Sequence, residues 1–147
     1  MKIVNKRAYH DITILDTFEA GISLLGAEVK SVKGGRMSLD GAFVRVLGSE
    51  LFLMNAQIFP YPYARPEGYD PKRTRKLLMH KSEILSLKTK VASDRLTLVP
   101  LECYVKHGLV KLKIGLGRGK KQYEKREKLK RKDIERDMQR DLRGKKE

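Results

Sequence analysis

Very little in this chain would place it in a membrane, an oxidising compartment or around a metal. Cys103 is the only cysteine among 147 residues. It cannot form an internal disulfide, and it fits a reducing cytoplasm. No run of about 18 apolar residues occurs, so no membrane span is expected. The opening residues, MKIVNKRAYHDITIL, lack the apolar core and small-residue cleavage site of a signal peptide. Histidines 10, 80 and 107 show no metal-ligand spacing, and no second cysteine helps them, so no metal or other cofactor is expected. Acid is scarce as well. Eighteen Asp and Glu stand against 33 Lys and Arg, a net charge of +15.

That excess calls for an anionic partner. A membrane surface is excluded because the basic C-terminal segment lacks the broad apolar face of an interfacial helix. Between nucleic acid and an acidic protein, nucleic acid leads. The charge is also unevenly placed. Residues 118–147 carry 14 basic against 7 acidic side chains, and residues 1–117 carry 19 against 11. Nearly half the excess therefore lies in a fifth of the chain, which implies two binding surfaces, a body and a tail.

The body reads as mainly β. Residues 10–25 alternate at Ile12 and Ile14 and then, after a slip, at Phe18, Ala20, Ile22 and Leu24. This predicts a long strand with a bend or bulge, Gly21 being its soft point. Residues 26–37 predict one or two helical turns stopped at Gly34-Gly35. Residues 42–58 predict a hairpin turning at Gly48-Ser49. Residues 59–71 hold four of the five prolines and predict an extended surface loop. Residues 72–91 space Leu77, Leu78, Ile84, Leu85 and Leu87 helically, with Ser82 as N-cap and Glu83 in the first turn. Residues 96–117 predict a second hairpin turning at His107-Gly108, with a bulge or edge position at Pro100. Leu112 and Ile114 face one side of its second strand, Lys111 and Lys113 the other. Five or six hairpin-linked strands are most simply closed as a barrel of the oligonucleotide-binding (OB) type with short flanking helices, over residues 1–119.

From Lys120 the chain is rich in helix formers, with no proline and no glycine before Gly144. Glu124 and Lys128, and Glu127 and Arg131, are spaced as helical ion pairs, whereas Asp133 and Asp137 repel. Tyr123, Ile134, Met138 and Leu142 share about a third of the helix circumference, with Leu129 opposite. Four apolar residues over this length cannot anchor a helix to its own body, and an isolated helix of this length is marginal. A solvated or solubilising tail is the bland alternative. Residues 120–147 are expected to be disordered when free and helical on an RNA surface.

The run Gly115-Leu116-Gly117-Arg118-Gly119-Lys120 superficially resembles a dinucleotide fingerprint. It is followed by no helix with an apolar face, and it does not match a Walker A motif. Its glycines are expected to admit backbone to phosphates while Arg118, Lys120 and Lys121 neutralise them, or to act as a hinge. Glu19, Glu28 and Asp16 could mark a carboxylate site, but ordinary ion pairing accounts for acids in so basic a chain. Glu19, on a strand of a basic surface, could accept hydrogen bonds from base amino groups. No enzyme is expected.

Six segments together resemble the small protein B family, the SsrA-binding proteins. They are N-K-R-A-x-H-D (5–11), F-E-A-G-I (18–22), E-V-K-S (28–31), D-P-K-R-T-R-K-L-L (70–78), T-L-V-P-L (97–101) and V-K-L-K-I-G-L-G-R-G-K-K-x-Y-E-K-R (110–126). The resemblance spans essentially the whole chain in order. It implies an OB-type barrel that binds the tRNA-like domain of transfer-messenger RNA (tmRNA). It further implies a tail that becomes helical in the empty messenger channel of a stalled small subunit, against 16S rRNA. By position it marks Asn5, Glu19, Leu78, Lys111, Gly119 and Lys120 as RNA-binding, and His10 as close to the decoding centre; the basic Arg7, Arg118 and Lys121 are expected to join the RNA-binding body. Glu124, Lys125, Arg126 and Leu142 are marked as the ribosome-binding tail, and the apolar stripe of Tyr123, Ile134 and Met138 is expected to share that role. Glu124 stands where the family has Asp, and Asp141 replaces one member of an apolar pair. Elongation factor Tu is implied as an indirect partner through the shared RNA, and the chain is expected to be a monomer. A structural ribosomal protein is the alternative from another class.

Overall fold

The computed structural model describes residues 1–62 and 68–120. The basic tail expected to become helical, with Lys121, Tyr123, Glu124, Lys125, Arg126, Ile134, Met138 and Leu142, lies outside the described residues, as does the middle of the proline-rich loop. The elements in chain order are β1 (Lys2–Val4), α1 (Lys6–Asp11), β2 (Ile12–Ile22), α2 (Gly26–Lys33), β3 (Met37–Ser38), β4 (Phe43–Leu47) and β5 (Glu50–Met54). They continue as β6 (Gln57–Ile58), β7 (Arg75–Leu78), α3 (Lys81–Asp94), β8 (Thr97–Lys106) and β9 (Leu109–Gly119). The architecture is mainly β with a few helices. Strand pairings, all antiparallel, run β8–β4–β5–β7–β2–β9 and return from β9 to β8, with β1 added on β8. β3 and β6 form a separate two-stranded sheet. Leu51, Leu53, Leu77, Leu87, Cys103, Leu112 and Ile114 form the centre of the apolar core inside this ring. None of the described helices is long and apolar enough to cross a membrane.

Both hairpins turn where the sequence predicts. Leu47 pairs with Glu50 across Gly48-Ser49, and Lys106 pairs with Leu109 across His107-Gly108. His107 and Gly108 both have positive φ, 52° and 76°, the signature of the tight turn whose twist matches the flanking strands. The irregularity at Pro100 is a bulge, since the register with β9 shifts between Pro100 and Glu102. It is no edge, because β8 pairs with β1, β4 and β9.

Three expectations are corrected. First, the long strand begins at Ile12, because Lys6–Asp11 is a helix. Asn5 caps it: its Oδ1 accepts from the Ala8 amide at 3.2 Å, and its Nδ2 donates to the Pro100 carbonyl at 2.9 Å. A six-residue helix has no independent stability, and these ties to β8 supply it. Second, the bulge in β2 lies between Ile14 and Asp16 rather than at Gly21, which pairs regularly with Leu78 and Lys111. The extra residue swaps faces. Ile12 and Ile14 therefore lie over Gly117 and Gly115 of β9, whereas Ala20 enters the core. Third, Leu77 and Leu78 belong to a strand. Arg75 and Leu77 point inward while Lys76 and Leu78 point out. The helix starts at Lys81, capped by His80 with no side-chain bond. Ser82 is already inside it, and Glu83 sits in the first turn as expected.

The charges that look like surface in the sequence include one buried network. Arg75 is 0% exposed. Its Nε and Nη2 donate to Glu28 Oε2 at 3.0 and 2.7 Å, and Nη1 donates to the Ala56 carbonyl at 2.7 Å. Glu28 also accepts from Arg73, from the Tyr69 hydroxyl at 2.9 Å and from the Leu25 amide at 2.9 Å. The end of the proline-rich loop is thus tied inward to α2 rather than lying free on the surface. Burial pushes the Glu28 carboxyl up. The hydrogen bonds from Arg73, Leu25 and Arg75 outweigh burial and hold it at about 2.

Candidate nucleic-acid interface

Antiparallel alternation sends every second residue of β8, β9 and β2 outward. On β8 these are Glu102, Tyr104 and Lys106, on β9 Lys111 and Lys113, and on β2 Glu19. The register places Glu19 beside Lys113, and Lys113 beside Glu102. Lys2 from β1 reaches Glu102 at 2.9 Å, and Lys113 reaches it at 3.4 Å. Glu19 accepts a hydrogen bond from the Tyr104 hydroxyl, and Lys106 approaches it at 3.5 Å. Cations outnumber carboxylates on this face, which suits a phosphate backbone.

Two adjoining clefts meet at Glu19. One, of about 360 Å³, is lined by Glu19, Gly21, Leu78, Met79, His80, Glu83 and Lys111. The other, of about 540 Å³, is lined by Lys2, Thr17, Phe18, Glu19, Glu102, Tyr104 and Lys113. Three of the residues marked in the sequence, Glu19, Leu78 and Lys111, therefore share one cleft. Gly21 explains the meeting, since it pairs with Leu78 on one side and Lys111 on the other. Leu78 is 53% exposed. Its helical-core reading fails, and it offers an apolar ledge between an acid and a base.

Chemically the cleft combines an acceptor, a donor and an apolar surface, the set that recognises an unpaired base with its phosphate. The hydrogen bond from Tyr104, aided by the charges of Lys106 and Lys111, holds the Glu19 carboxyl below its ordinary range despite an opposing desolvation. Burial and the bond to Glu19 push the Tyr104 hydroxyl up to about 12, so it remains a donor at neutral pH.

The other marked residues gather elsewhere. Gly119 pairs with Ile12 at the far end of the β2–β9 ladder. Nine residue-to-residue steps of strand separate Ile12 from Gly21, roughly 30 Å at about 3.3 Å per step. Here the Lys120 amide donates to the Asp11 carbonyl at 2.9 Å, and its Nζ reaches the Tyr9 carbonyl at 3.5 Å. His10 is close by on α1, with Nδ1 2.9 Å from Asp11 Oδ1. Arg7 and Arg118 are exposed, and with Lys120 they make this end basic. Asn5 is only 3% exposed, and its amide is committed to Pro100 and Ala8. It supports α1 from within and offers no surface of its own to RNA.

Gly115 and Gly117 are buried strand residues instead of a phosphate loop. A methyl carbon at Gly115 would fall 2.8 Å from Leu101 Cδ1, and one at Gly117 would fall 2.2 Å from the Thr13 carbonyl oxygen. These glycines let β2 and β8 close over β9. Sequence reasoning missed Tyr104, Lys106, Glu102 and Lys2. The alternation of β8 from Glu102 to Lys106 was the signal that could have found the first three. Cys103, between them, points inward, and burial raises its thiol to about 12, well away from any nucleophilic role.

Comparison with known proteins adds relatives. Residues 2–144 match the family model described as SmpB protein. The SsrA-binding protein of Enterococcus hirae is 48% identical over 140 residues, covering 95% of this chain and 91% of that one. The SsrA-binding protein of Lacticaseibacillus casei is 50% identical over 140 residues, covering 95% and 89%. A chain in a solved structure described as "tmRNA-SmpB: a journey to the center of the bacterial ribosome" superposes with a TM-score of 0.68 at 47% identity. It covers 82% of this chain and 85% of that one.

Proposed function

The chain belongs to the SmpB family, a family of RNA-binding proteins and not of enzymes. From that premise we propose that it binds the tRNA-like domain of tmRNA and delivers the alanyl form to ribosomes stalled with an empty A site. The observation that carries the reading is the cleft itself. Residues 19, 78 and 111, remote in sequence, converge on one outward patch of acceptor, apolar ledge and cation. Glu19 takes a base N–H, Leu78 supports the base, and Lys111 neutralises a phosphate. The ring of pairings supports an OB-type barrel over residues 1–119. At the opposite end, Arg7, Arg118, Gly119 and Lys120 hold phosphates beside His10, whose imidazole stacks on an exposed base of the decoding centre. Residues 120–147, with Tyr123, Glu124, Lys125, Arg126, Ile134, Met138 and Leu142, probe the vacant messenger channel as a helix against 16S rRNA. The chain acts as a cytoplasmic monomer and meets elongation factor Tu only through the shared RNA.

The test is capture from cell extract followed by RNA sequencing. One dominant chimeric RNA is expected; stoichiometric presence in washed, translating 70S particles would favour a structural ribosomal protein instead. Glu19→Ala is expected to weaken binding of the tRNA-like domain about tenfold, the loss of a hydrogen bond to a charged group. Net charge alone predicts the opposite sign, so tighter binding refutes the cleft. Ending the chain at Lys121 should leave most of that affinity while abolishing ribosome rescue. Lost affinity would overturn the division into body and tail.

A further inference from the structure

The carboxylate at position 19 has too many cations around it to face the cleft unaided. Lys113 is its direct neighbour across β2–β9, Lys111 lies two pairs further along on the same face, and Lys106 reaches it from β8. Left alone, such a side chain would fold down onto the nearest ammonium groups, and acid and base would cancel. The surrounding contacts prevent this. Glu102 takes both Lys113 and Lys2. Tyr104 and Lys106 both end on Oε2 of Glu19, and among the described residues nothing donates to Oε1. Lys111, paired across β9 with Tyr104 itself, makes no ion pair among the described residues, although it lines the cleft.

We infer that Tyr104 is a positioning residue for RNA recognition: its hydroxyl pins one oxygen of Glu19, so the other oxygen and the Lys111 ammonium stay separately available to one unpaired nucleotide. This rests on the RNA-binding reading of the cleft. A tyrosine suits the task because it is a neutral donor. A cation there would neutralise the carboxylate, and phenylalanine would leave it to the lysines.

Tyr104→Phe keeps the ring and removes only the donor. Two measurements on the full chain decide the inference. In the free protein, the side-chain carboxyl carbon of Glu19 is titrated by NMR, and the midpoint should move up towards the ordinary carboxylate range in Tyr104→Phe. The other charged groups facing it are Glu102 and Lys106 on β8, Lys111 and Lys113 on β9, Lys2 on β1, and His80 and Glu83 at the start of α3. The lysines stay charged throughout that range, and reading the Glu19 carbon separates it from Glu102, Glu83 and His80. An unmoved midpoint overturns the inference.

Binding to the purified tRNA-like domain is then measured for Tyr104→Phe, Glu19→Gln and the double variant. Tyr104→Phe alone should bind about fivefold more weakly, one hydrogen bond's worth. In the Glu19→Gln background it should cost nothing further, because its effect runs through that carboxylate. An additive loss overturns the positioning role alone. Unchanged binding by Glu19→Gln overturns the RNA reading of the cleft, and this inference with it, even where the titration shows that Tyr104 holds Glu19.

Discussion

Glu28→Ala is expected to cost roughly 3–5 kcal/mol of stability at pH 7, the usual consequence of removing one partner from a buried ion pair. Arg75 cannot shed its proton, and it is wholly enclosed, so the variant would bury a cation whose main counter-charge is gone. The loss would be felt in three places. The carboxylate closes the first turn of α2 through the Leu25 amide, fixes β7 through Arg75, and holds the end of the proline-rich loop through Tyr69 and Arg73. Urea unfolding at pH 7 checks the magnitude. A variant as stable as the parent would mean that Arg75 finds water or another acid.

The pH dependence follows from the same pair. Folding lowers the Glu28 carboxyl from 4.5 to about 2, so its stabilisation is complete above about pH 4.5 and drains away as pH falls towards 2. The parent should therefore lose stability steeply across that window. Glu28→Gln, already weaker at neutral pH, should show a shallower acid limb. Glu102, held low chiefly by the hydrogen bond from Lys2, contributes to the same limb and remains in both proteins.

Much of the architecture was legible because local chemistry and global fold agree in it. The turns at Gly48-Ser49 and His107-Gly108, the bulge at Pro100, the stop at Gly34-Gly35 and the inward Leu112 and Ile114 are each dictated within a few residues. The failures share a different cause. β1 and α1 exist because Asn5 and its neighbours bond to β8 nearly a hundred residues away, and no local pattern encodes that. Leu77 and Leu78 fit a helical stripe with Ile84, Leu85 and Leu87 as well as they fit a strand end. Only the pairing of β7 with β5 and β2 decides between them. Arg75, inside a run of Arg and Lys, reads as surface until Glu28 is placed beside it.

The site divides the same way. Composition and spacing reach a basic β body with a tail, and the family resemblance marks the residues. Their sorting into two ends of one ladder comes only from the register. Spacing cannot show that Glu19 meets Leu78 and Lys111 while Gly119 and Lys120 meet α1. The slip in β2 hides this further, since apolar residues at even positions on either side of Leu15 face opposite ways.

Gly117→Ala should be the most damaging single methyl group at any of the described glycines. In the middle of an antiparallel pair a glycine is ordinarily tolerant of alanine, and strands gain from a side chain. Here the added carbon would fall 2.2 Å from the Thr13 carbonyl oxygen and 2.8 Å from Ile12 Cγ2. The first contact is with backbone, so no rotamer change relieves it; the β2–β9 ladder must open between Ile12 and Ile14. Overpacking of a well-filled site costs about 1–3 kcal/mol where side chains can move, and a backbone clash should exceed that range. The melting temperature is expected to fall by about 10 °C or more. Gly119→Ala, two residues on with nothing within 4 Å of the new carbon, should melt like the parent. The damage should also be local. The displaced end carries Arg118, Lys120 and the α1 segment with His10, whereas Glu19, Leu78 and Lys111 lie at the other end of the ladder. If Gly117→Ala folds at low temperature, it should keep its affinity for the tRNA-like domain better than it keeps ribosome rescue. Equal loss of both would show that the two ends act as one surface.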